Sequence, residues 1–472
     1  MEVLQRTANR GSISGGGYEI DNSIKLEQPE RLQRAYDGSG NIGSITSTDR
    51  KKTTLSYWVK RTQLNASGNG IVFVMYAGNT IMLGFENDKL RVSTSYGYSL
   101  KSNADFRDTS AWYHLVFSID TTQGTANNRV KAYVNGAEVT SWGTQTISIS
   151  QNANNGMFNE VNGSHYFGWS DAQATGCYLA EAHCIDGQAL AASDFGEYDD
   201  DSGIWIPKEY TGTYGNQGYY LDFETSSNLG TDSSGNSNNF GALYGIGAEN
   251  QATDTPTNNF CTLNPLYLTT RYTITEGGTN QVSSANGWGA SVGSVGVTSG
   301  KWYFEVQSDD TNGYTLLGVI DEDSVIGTYV NGDAHAGDAP YGITYYGGGG
   351  SIITNGSAVT GLSFPTWTTE TMGCALDLDN NKIYFSKSGT YGNSGDPAAG
   401  SNGVSLPTGG SGTWFISTST YYAAYPAKTN QGGYTTISIS STASDSSGYG
   451  TFEYAPPTGY YALCTQNLAV YG

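Results

Sequence analysis

Residues 373–389, GCALDLDNNKIYFSKSG, concentrate carboxylate, amide and lysine side chains that could bind a metal ion or perform acid–base chemistry. A calcium loop of the EF-hand type needs Gly at its sixth position and Glu at its twelfth. Counted from Asp377, those positions hold Lys382 and Ser388. An apolar alternation resumes directly after the polar run, as in a returning strand. The pattern therefore predicts a β-hairpin with its corner at residues 379–381, and not a metal site.

Carboxylates at alternate positions of a strand are a second source of chemistry, because two of them can reach one glycosidic bond from the same face. The best match is Glu197, Asp199 and Asp201, which stand between Gly196 and Gly203. The flanking glycines and the lack of β-branched neighbours predict a loop there. We therefore predict a protein that is not an enzyme, with a glycosidase as the alternative. Two shorter carboxylate pairs also occur, Asp321 with Asp323 and Asp222 with Glu224.

Metal-binding patterns are otherwise absent from the sequence. A loosely bound calcium ion between Glu197 and Asp201 is an alternative to a solvated acidic loop, which is the favoured interpretation. No other cofactor is expected. The histidines show neither HxH nor HxxxH spacing, which argues against a zinc site; they are His114, His165, His183 and His335.

The cysteines are odd in number and form no CxxC motif. This pattern favours free, buried thiols over disulfides. The five residues are Cys177, Cys184, Cys261, Cys374 and Cys464.

Half-exposed aromatic residues beside Gly and Asn give the strongest functional signal. Trp and Tyr rings can stack on sugars, while Asn and Asp bind hydroxyl groups. Alternation alone cannot separate surface rings from core rings in such loops. The predicted ligand-binding residues are Tyr96, Tyr98, Trp142, Trp169, Tyr314, Tyr345, Tyr346 and Tyr391.

The composition defines the fold class and excludes some partners. The chain has 472 residues, including 64 Gly and 35 Tyr, and only 14% are charged. Such a composition predicts short strands joined by tight turns, and the length predicts about two or three domains. The net charge of −21, without a Lys/Arg cluster, argues against binding nucleic acid or an anionic membrane.

The chain is predicted to be all-β, with two antiparallel β-sandwiches in tandem. Two-residue hairpin turns are indicated at Asn87-Asp88 and at Asn135-Gly136. The strand AWYHLVFSID should be covered on both faces, because apolar residues occupy both alternating sets. The predicted divisions are a short tail (1–17), a first sandwich (18–198), an ordered bridging segment (199–272) and a second sandwich (273–472).

The N-terminal residues MEVLQRTANRGSISGGG lack an apolar core, so no signal peptide is expected. No run approaches the length of a membrane span. We therefore expect synthesis in a cytoplasm and no membrane insertion.

Two known families resemble parts of this sequence. A resemblance to the laminin G-like, concanavalin A-like jelly roll is carried by TTLSYWVKR, AWYHLVFSID, VKAYVNGAEV and YLAEAHCIDGQAL. A resemblance to the SPRY domain is carried by GKWYFEVQS, LLGVID, YGITY, MGCALDLDNNKIYFSKSG and FEYAPPTGYYALCTQNL. The bridging stretches SDFGEYDDDSGIWIPKEYTGTYGNQGYYLDF and DTPTNNFCTLNPL resemble a linker of marine bacteriophage virion proteins.

The resemblance implies a tail-fibre or fibre-like virion protein that binds a host surface polysaccharide or other receptor. It also implies a homo-oligomer, by analogy a trimer, and localisation to the virion. Because only about 17 residues precede the first sandwich, we expect a short tail, head or fibre-tip appendage that docks to other virion proteins through residues 1–20. A structural capsid or tail decoration protein without a host ligand is the main alternative, and a glycan-degrading tailspike is the second.

Overall fold

A computed structural model describes residues 17–34, 47–64, 69–76, 80–157, 163–168, 176–267, 272–325 and 334–472. The chain divides into two compact units, a first unit that ends at Thr257 and a second unit that runs from Asn258 to Gly472. Both units are built almost entirely from β-strands, which confirms the predicted all-β class. Within the described ranges, every helix is too short or too polar to cross a membrane.

The first unit consists of two large sheets and a small hairpin. Its strands are β1 (Ser23–Leu26), β2 (Arg31–Arg34), β3 (Lys52–Arg61), β4 (Asn69–Tyr76), β5 (Thr80–Glu86), β6 (Lys89–Thr94), β7 (Tyr98–Asp105), β8 (Trp112–Asp120), β9 (Val130–Val134), β10 (Ala137–Glu138), β11 (Trp142–Ile147), β12 (Ser164–Gly168), β13 (Cys177–Asp186), β14 (Gly196–Tyr198), β15 (Trp205–Pro207), β16 (Tyr219–Leu221), β17 (Ala242–Tyr244) and β18 (Gln251–Ala252). Short 3-10 helices cover Ala126–Asn128, Ala192–Asp194 and Ala248–Asn250.

The sheets of the first unit are antiparallel throughout the described strands. One sheet has the order β10-β9-β8-β3-β13-β1-β18, with β16 paired to β13, and the other has the order β11-β7-β6-β5-β4-β12-β2-β17. Their facing apolar side chains form one core, to which Tyr57, Phe73, Leu115 and Phe167 belong. This arrangement confirms the predicted first sandwich.

Both predicted two-residue turns are present. Asn87 and Asp88 adopt φ values of 50° and 61°, and Asn135 and Gly136 adopt 46° and 81°. The flanking pairs Glu86↔Lys89 and Val134↔Ala137 close the hairpins β5–β6 and β9–β10. Positive φ at both central residues is the geometry that matches the twist of the strands.

Strand β8 is buried on both faces, as the sequence predicts. Leu115, Phe117 and Ile119 point into the sandwich core. On the opposite face, His114 stacks between Trp58 and Trp205, with ring centroids 4.7 Å and 5.9 Å away. Burial lowers the pKa of His114 to about 3, so this histidine is a neutral packing residue.

The predicted bridging segment is shared between the two units, because residues up to Thr257 belong to the first and later residues to the second. Its strands β16, β17 and β18 extend the two sheets of the first unit. The turn-rich segment is therefore ordered by backbone pairing. The predicted loop is wrong for Glu197, which lies in β14 and pairs with β15. Asp199 and Asp201 lie in the connection between these two strands, as predicted.

The second unit also contains two large sheets. Its strands are β19 (Tyr272–Thr275), β20 (Asn280–Ser283), β21 (Ala290–Val297), β22 (Lys301–Ser308), β23 (Thr315–Asp321), β24 (Gly342–Tyr346), β25 (Ser351–Thr354), β26 (Ser357–Ala358), β27 (Met372–Asp377), β28 (Lys382–Lys387), β29 (Thr390–Tyr391), β30 (Val404–Ser405), β31 (Trp414–Thr420), β32 (Ala427–Asn430) and β33 (Tyr461–Ala462). The helices are α1 (Glu322–Val325), α2 (Thr465–Tyr471) and a 3-10 turn at Ala336–Asp338.

The two sheets of the second unit have the orders β19-β20-β32-β22-β27-β28-β29 and β21-β31-β23-β24-β25-β26. Trp302, Phe304 and Val306 of β22 point into the core between them, as their alternation predicts. One pairing differs from the predicted antiparallel arrangement, because β33 runs parallel to β22 over two residue pairs.

Residues 373–389 contain a β-hairpin, as predicted. Strands β27 and β28 pair from Met372↔Lys387 to Asp377↔Lys382. The Asp377 carboxylate is fully buried; it accepts the Asn380 backbone N–H at 3.1 Å and forms an ion pair with Lys301 at 3.0 Å. Its oxygens therefore stabilise the turn.

A buried ion pair attaches the last part of the first unit to its central strand. Lys60 Nζ lies 2.6 Å from Asp254 Oδ2, with side-chain exposures of 0% and 1%. Trp112 Nε1 donates to the other carboxylate oxygen at 3.0 Å. Removal of one partner would leave the other charge buried and uncompensated.

We therefore expect Asp254→Ala to lower the free energy of unfolding of the first unit by roughly 3–5 kcal/mol. Asp105→Ala is the matched control, because Asp105 pairs with Lys89 at the surface, with exposures of 53% and 30%. That substitution should cost less than about 1 kcal/mol. Urea unfolding followed by tryptophan fluorescence measures both, and equal losses in the two variants would contradict the assignment.

The second unit also contains a buried carboxylate, that of Glu305. Glu305 is fully buried and accepts hydrogen bonds from Tyr303, Asn430 and the backbone N–H groups of Glu453 and Tyr454, at 2.8–3.1 Å. Burial raises its pKa to about 7, against the lowering effect of these four donors.

A pKa raised on folding means that the folded state holds a proton which the unfolded state releases. Between the unfolded pKa of 4.5 and the folded value of about 7, the second unit should lose stability as the pH rises, by roughly 3 kcal/mol in total. Glu305→Gln should remove most of this dependence of stability on pH. It should also lower the stability at every pH, because the N–H2 group of the glutamine amide would face hydrogen-bond donors. Thermal unfolding across this pH range tests the expectation, and an unchanged slope in the variant would refute it.

Candidate functional site

Four strands of the second unit bring aromatic residues to one end of a sheet. In the order β21-β31-β23-β24, the pairs Ala290↔Ser419, Thr315↔Thr420 and Leu316↔Tyr346 lie at the same end. Because neighbours are antiparallel, this end collects the loops before β21 and β23 and those after β31 and β24. We call the rings in these loops and at the end of β24 the strand-end aromatic cluster. They are Trp288, Tyr314, Tyr346, Tyr421 and Tyr422.

Trp288 packs against three of the four other rings of the cluster. Its ring centroid is 5.4 Å from that of Tyr421 and 6.1 Å from those of Tyr314 and Tyr346. Tyr422 adds an edge contact to Tyr314 at 5.3 Å. All five side chains are half-buried, so each ring packs on its neighbours and keeps part of its surface accessible. Such mutual packing restrains the rings before any ligand arrives.

Hydrogen bonds to the backbone connect the loops beneath the rings. Tyr421 N donates to Tyr314 O at 3.0 Å, and Gly287 N donates to Tyr421 O at 2.9 Å. The buried Tyr272 hydroxyl donates to Gly287 O and, at 2.9 Å, to Thr420 O. Three of the four loops are thereby joined.

A buried aspartate shapes the loop before β23. Asp310 is fully buried; its carboxylate accepts the backbone N–H of Asn312 at 2.8 Å and that of Tyr314 at 2.7 Å. Gly313 completes the turn with φ 73°, and a Cβ there would lie 2.6 Å from Gly348 N. The loop therefore needs glycine at this position to approach the run that follows Tyr346.

The cluster is uncharged at neutral pH. Burial raises the pKa of Tyr346, and neighbouring Tyr314 and Asp310 raise it further. Burial lowers the pKa of His335, whose ring lies 5.2 Å from Trp288. Tyr346 therefore keeps its proton and can donate a hydrogen bond, while the rings offer apolar faces. Flat apolar faces bordered by neutral hydroxyl groups suit a sugar ring.

Of the predicted site residues that the structure describes, Tyr314 and Tyr346 lie together in this cluster. The predicted set does not include Trp288, Tyr421 and Tyr422. These residues occur in SANGWGAS and TSTYYAAY, where aromatic residues stand beside Gly, Asn and Ser as in the predicted set. The local signal was present, but the pairing that unites them spans more than a hundred residues.

Two of the predicted ligand-binding residues belong to the core. Tyr98 is 1% exposed and Tyr345 is 0% exposed, so neither ring is available to a ligand and these two predictions are wrong. Burial raises the pKa of both hydroxyl groups. Each side chain points inward because β7 and β24 alternate their side chains between two faces.

The other predicted residues do not join the cluster. Tyr96 and Trp142 are half-buried at the edge of the first core. Tyr391 packs against a separate core patch with Tyr384. Trp169 lies outside the described residues.

The acidic stretch is engaged in local contacts. Asp199 accepts the Ser202 backbone N–H at 2.9 Å, and Glu197 lies 3.9 Å from Lys208. Among the described residues, no three His, Cys, Asp or Glu side chains gather as metal ligands. The five cysteines are free and buried, as predicted.

Two family models match the sequence. The model of the concanavalin A-like lectin/glucanases superfamily, Laminin_G_3, matches residues 35–183. The SPRY domain model matches residues 301–394. A comparison of the sequence with curated proteins finds no match.

Solved structures resemble the chain in part. A human SPRY domain is 14% identical, with a TM-score of 0.25, over 34% of this chain and 94% of that chain. The SPRY domain of human HERC1 is 17% identical, with a TM-score of 0.27, over 35% of this chain and 94% of that one. A protein of Bacteroides ovatus ATCC 8483 with a proposed carbohydrate-binding function is 12% identical, with a TM-score of 0.32, over 48% of this chain and 60% of its own. From the family matches, the chain combines a laminin G-like, concanavalin A-like domain with a SPRY domain.

Proposed function

We propose that this chain is a non-enzymatic adhesin of a bacteriophage virion, a tail fibre or fibre-like appendage that binds a host surface glycan. The strand-end aromatic cluster is the observation that carries the proposal. Five half-exposed rings at one sheet end offer stacking surfaces, and their hydroxyl groups offer hydrogen bonds without a charge. This combination recognises the alternating apolar faces and hydroxyl groups of a sugar.

The domain composition supports the same function. A domain of the lectin/glucanase superfamily joined to a SPRY domain pairs two folds that serve binding. Because fold alone does not define function, the surface chemistry of the loops must supply the binding site. The bridging stretches, which resemble a linker of phage virion proteins, support the virion assignment.

Avidity is part of the proposal. A single shallow sugar site binds weakly, whereas linked copies raise the overall affinity by about 10²–10⁴. We therefore propose a homotrimer, displayed on the virion and joined to other virion proteins through the N-terminal tail. Residues 1–16 of that tail lie outside the described ranges.

We expect the purified chain to be retarded in gels that contain envelope polysaccharide from its host, with the polymer length unchanged. Trp288→Ala should raise the dissociation constant at least about tenfold, because Trp288 has the largest ring system of the cluster and packs against three of its tyrosines. Affinity electrophoresis at several polysaccharide concentrations provides the dissociation constants.

Tyr244→Ala is the control, since Tyr244 is an exposed aromatic residue on the edge strand β17 of the first unit and is not among the predicted ligand-binding residues. Near-ultraviolet circular dichroism verifies that both variants fold. Unchanged binding by the Trp288 variant would remove the cluster from the site. Shortened polymer would favour a glycan-degrading spike, and no retardation in any host polysaccharide would favour a structural decoration protein.

The pH dependence follows from the protonation states. Because burial raises the pKa of Tyr346 and lowers that of His335 from 6.5, these two groups stay neutral across the intervening range. We expect the dissociation constant to stay within about twofold between about pH 6.5 and about pH 9. The same electrophoresis in buffers of different pH measures it, and a tenfold change inside this window would indicate an ionised contact.

A further inference from the structure

A cleft lies in the first unit, on the outer face of strands β8 and β9. It has a volume of about 330 Å³, and residues 189–191, which follow β13, form one wall. A volume of this size is at the lower end of the range for small-molecule sites. Every residue that lines the cleft belongs to the described part of the chain.

Outward-facing side chains of β8 and β9 form the floor of the cleft. Leu115 and Phe117 point into the core, so Ser118 points outward. On β9, Lys131 is paired with Ser118, and Tyr133 follows on the same face. The Tyr133 ring also packs against an apolar patch that contains Phe195, which holds the ring in place.

The charged groups of the cleft are already compensated. Asp120 accepts the Thr122 backbone N–H at 3.0 Å and Gln123 Nε2 at 2.7 Å. Lys131 Nζ lies 3.0 Å from Glu138 Oε2. The cleft therefore contains neither an open cation for an anionic ligand nor an open carboxylate for a cationic one.

The groups that remain available are neutral. Within the described ranges, Ser118 Oγ, the Asn128 amide and the Tyr133 hydroxyl make no side-chain hydrogen bonds. Burial raises the pKa of Tyr133, so its hydroxyl stays protonated. One aromatic ring with a hydroxyl and an amide around it matches a neutral hydroxylated ring.

We propose that this cleft is a second glycan subsite, which takes one neutral sugar residue against Tyr133, with Ser118 and Asn128 binding its hydroxyl groups. It deepens the proposed adhesin function and rests on it, because a weak second subsite gains value only in a protein that binds extended glycans. The second subsite lies in a different unit from the strand-end aromatic cluster, so each can be removed separately.

Saturation-transfer NMR on the full chain tests the subsite. The probes are the methyl glycosides of glucose, galactose, mannose and N-acetylglucosamine, with glucuronic acid as the anionic comparison. Tyr133→Phe keeps the ring and its packing and removes one hydroxyl, while Asn128→Ala removes an exposed amide. Each should weaken binding of at least one neutral glycoside by about three- to tenfold, and Trp288→Ala should leave this part of the signal unchanged.

The outcomes separate this proposal from the adhesin function. A neutral-glycoside signal that falls in both cleft variants supports the subsite. A signal lost only in Trp288→Ala overturns the subsite and leaves the adhesin function standing. No saturation of any neutral glycoside, or a preference for glucuronic acid, overturns the subsite, and host polysaccharide electrophoresis then tests the adhesin function independently.

Discussion

The antiparallel register of β31 with β23 is the constraint on which the candidate site depends. Seven consecutive residue pairs run from Thr315↔Thr420 to Asp321↔Trp414. This register directs Leu317 and Val319 into the core and places Tyr314 beside Tyr421 at the strand end. A slip of one residue would turn the apolar side chains outward and separate the loops. Core packing and site assembly are therefore consequences of one pairing.

Polar groups buried in pairs explain why turn-rich segments are ordered. The segment after β15 has few long apolar runs, yet Asp254 reaches the buried Lys60 and Trp112. In the second unit, Glu305 binds the backbone of residues 453 and 454 in the same way. Buried charges demand partners, so each pair specifies one position for a segment that hydrophobic burial alone would leave undefined.

Local features were predictable from the sequence, whereas the assembled site was not. Asn135-Gly136 and the alternation in β8 depend on neighbouring residues, so they reveal a turn and a doubly covered strand directly. Tyr345 and Tyr346 are adjacent and look alike in sequence, but the pleat sends one into the core and the other to the surface. Trp288 meets Tyr421 only through strand pairing at long range, which no local pattern contains.

The charge of the chain bears on whether the two candidate surfaces would bind neutral or anionic glycans. The chain carries a net charge of −21, which repels anionic polymers at distances up to about one Debye length, roughly 8–10 Å. Neither the strand-end aromatic cluster nor the cleft at Tyr133 offers an unpaired cation to offset that repulsion, as far as the described residues extend. An acidic glycan would therefore meet a cost without a compensating contact. Stacking and neutral hydrogen bonds do not depend on charge, so neutral sugars are the ligands that we expect for the two proposed sites.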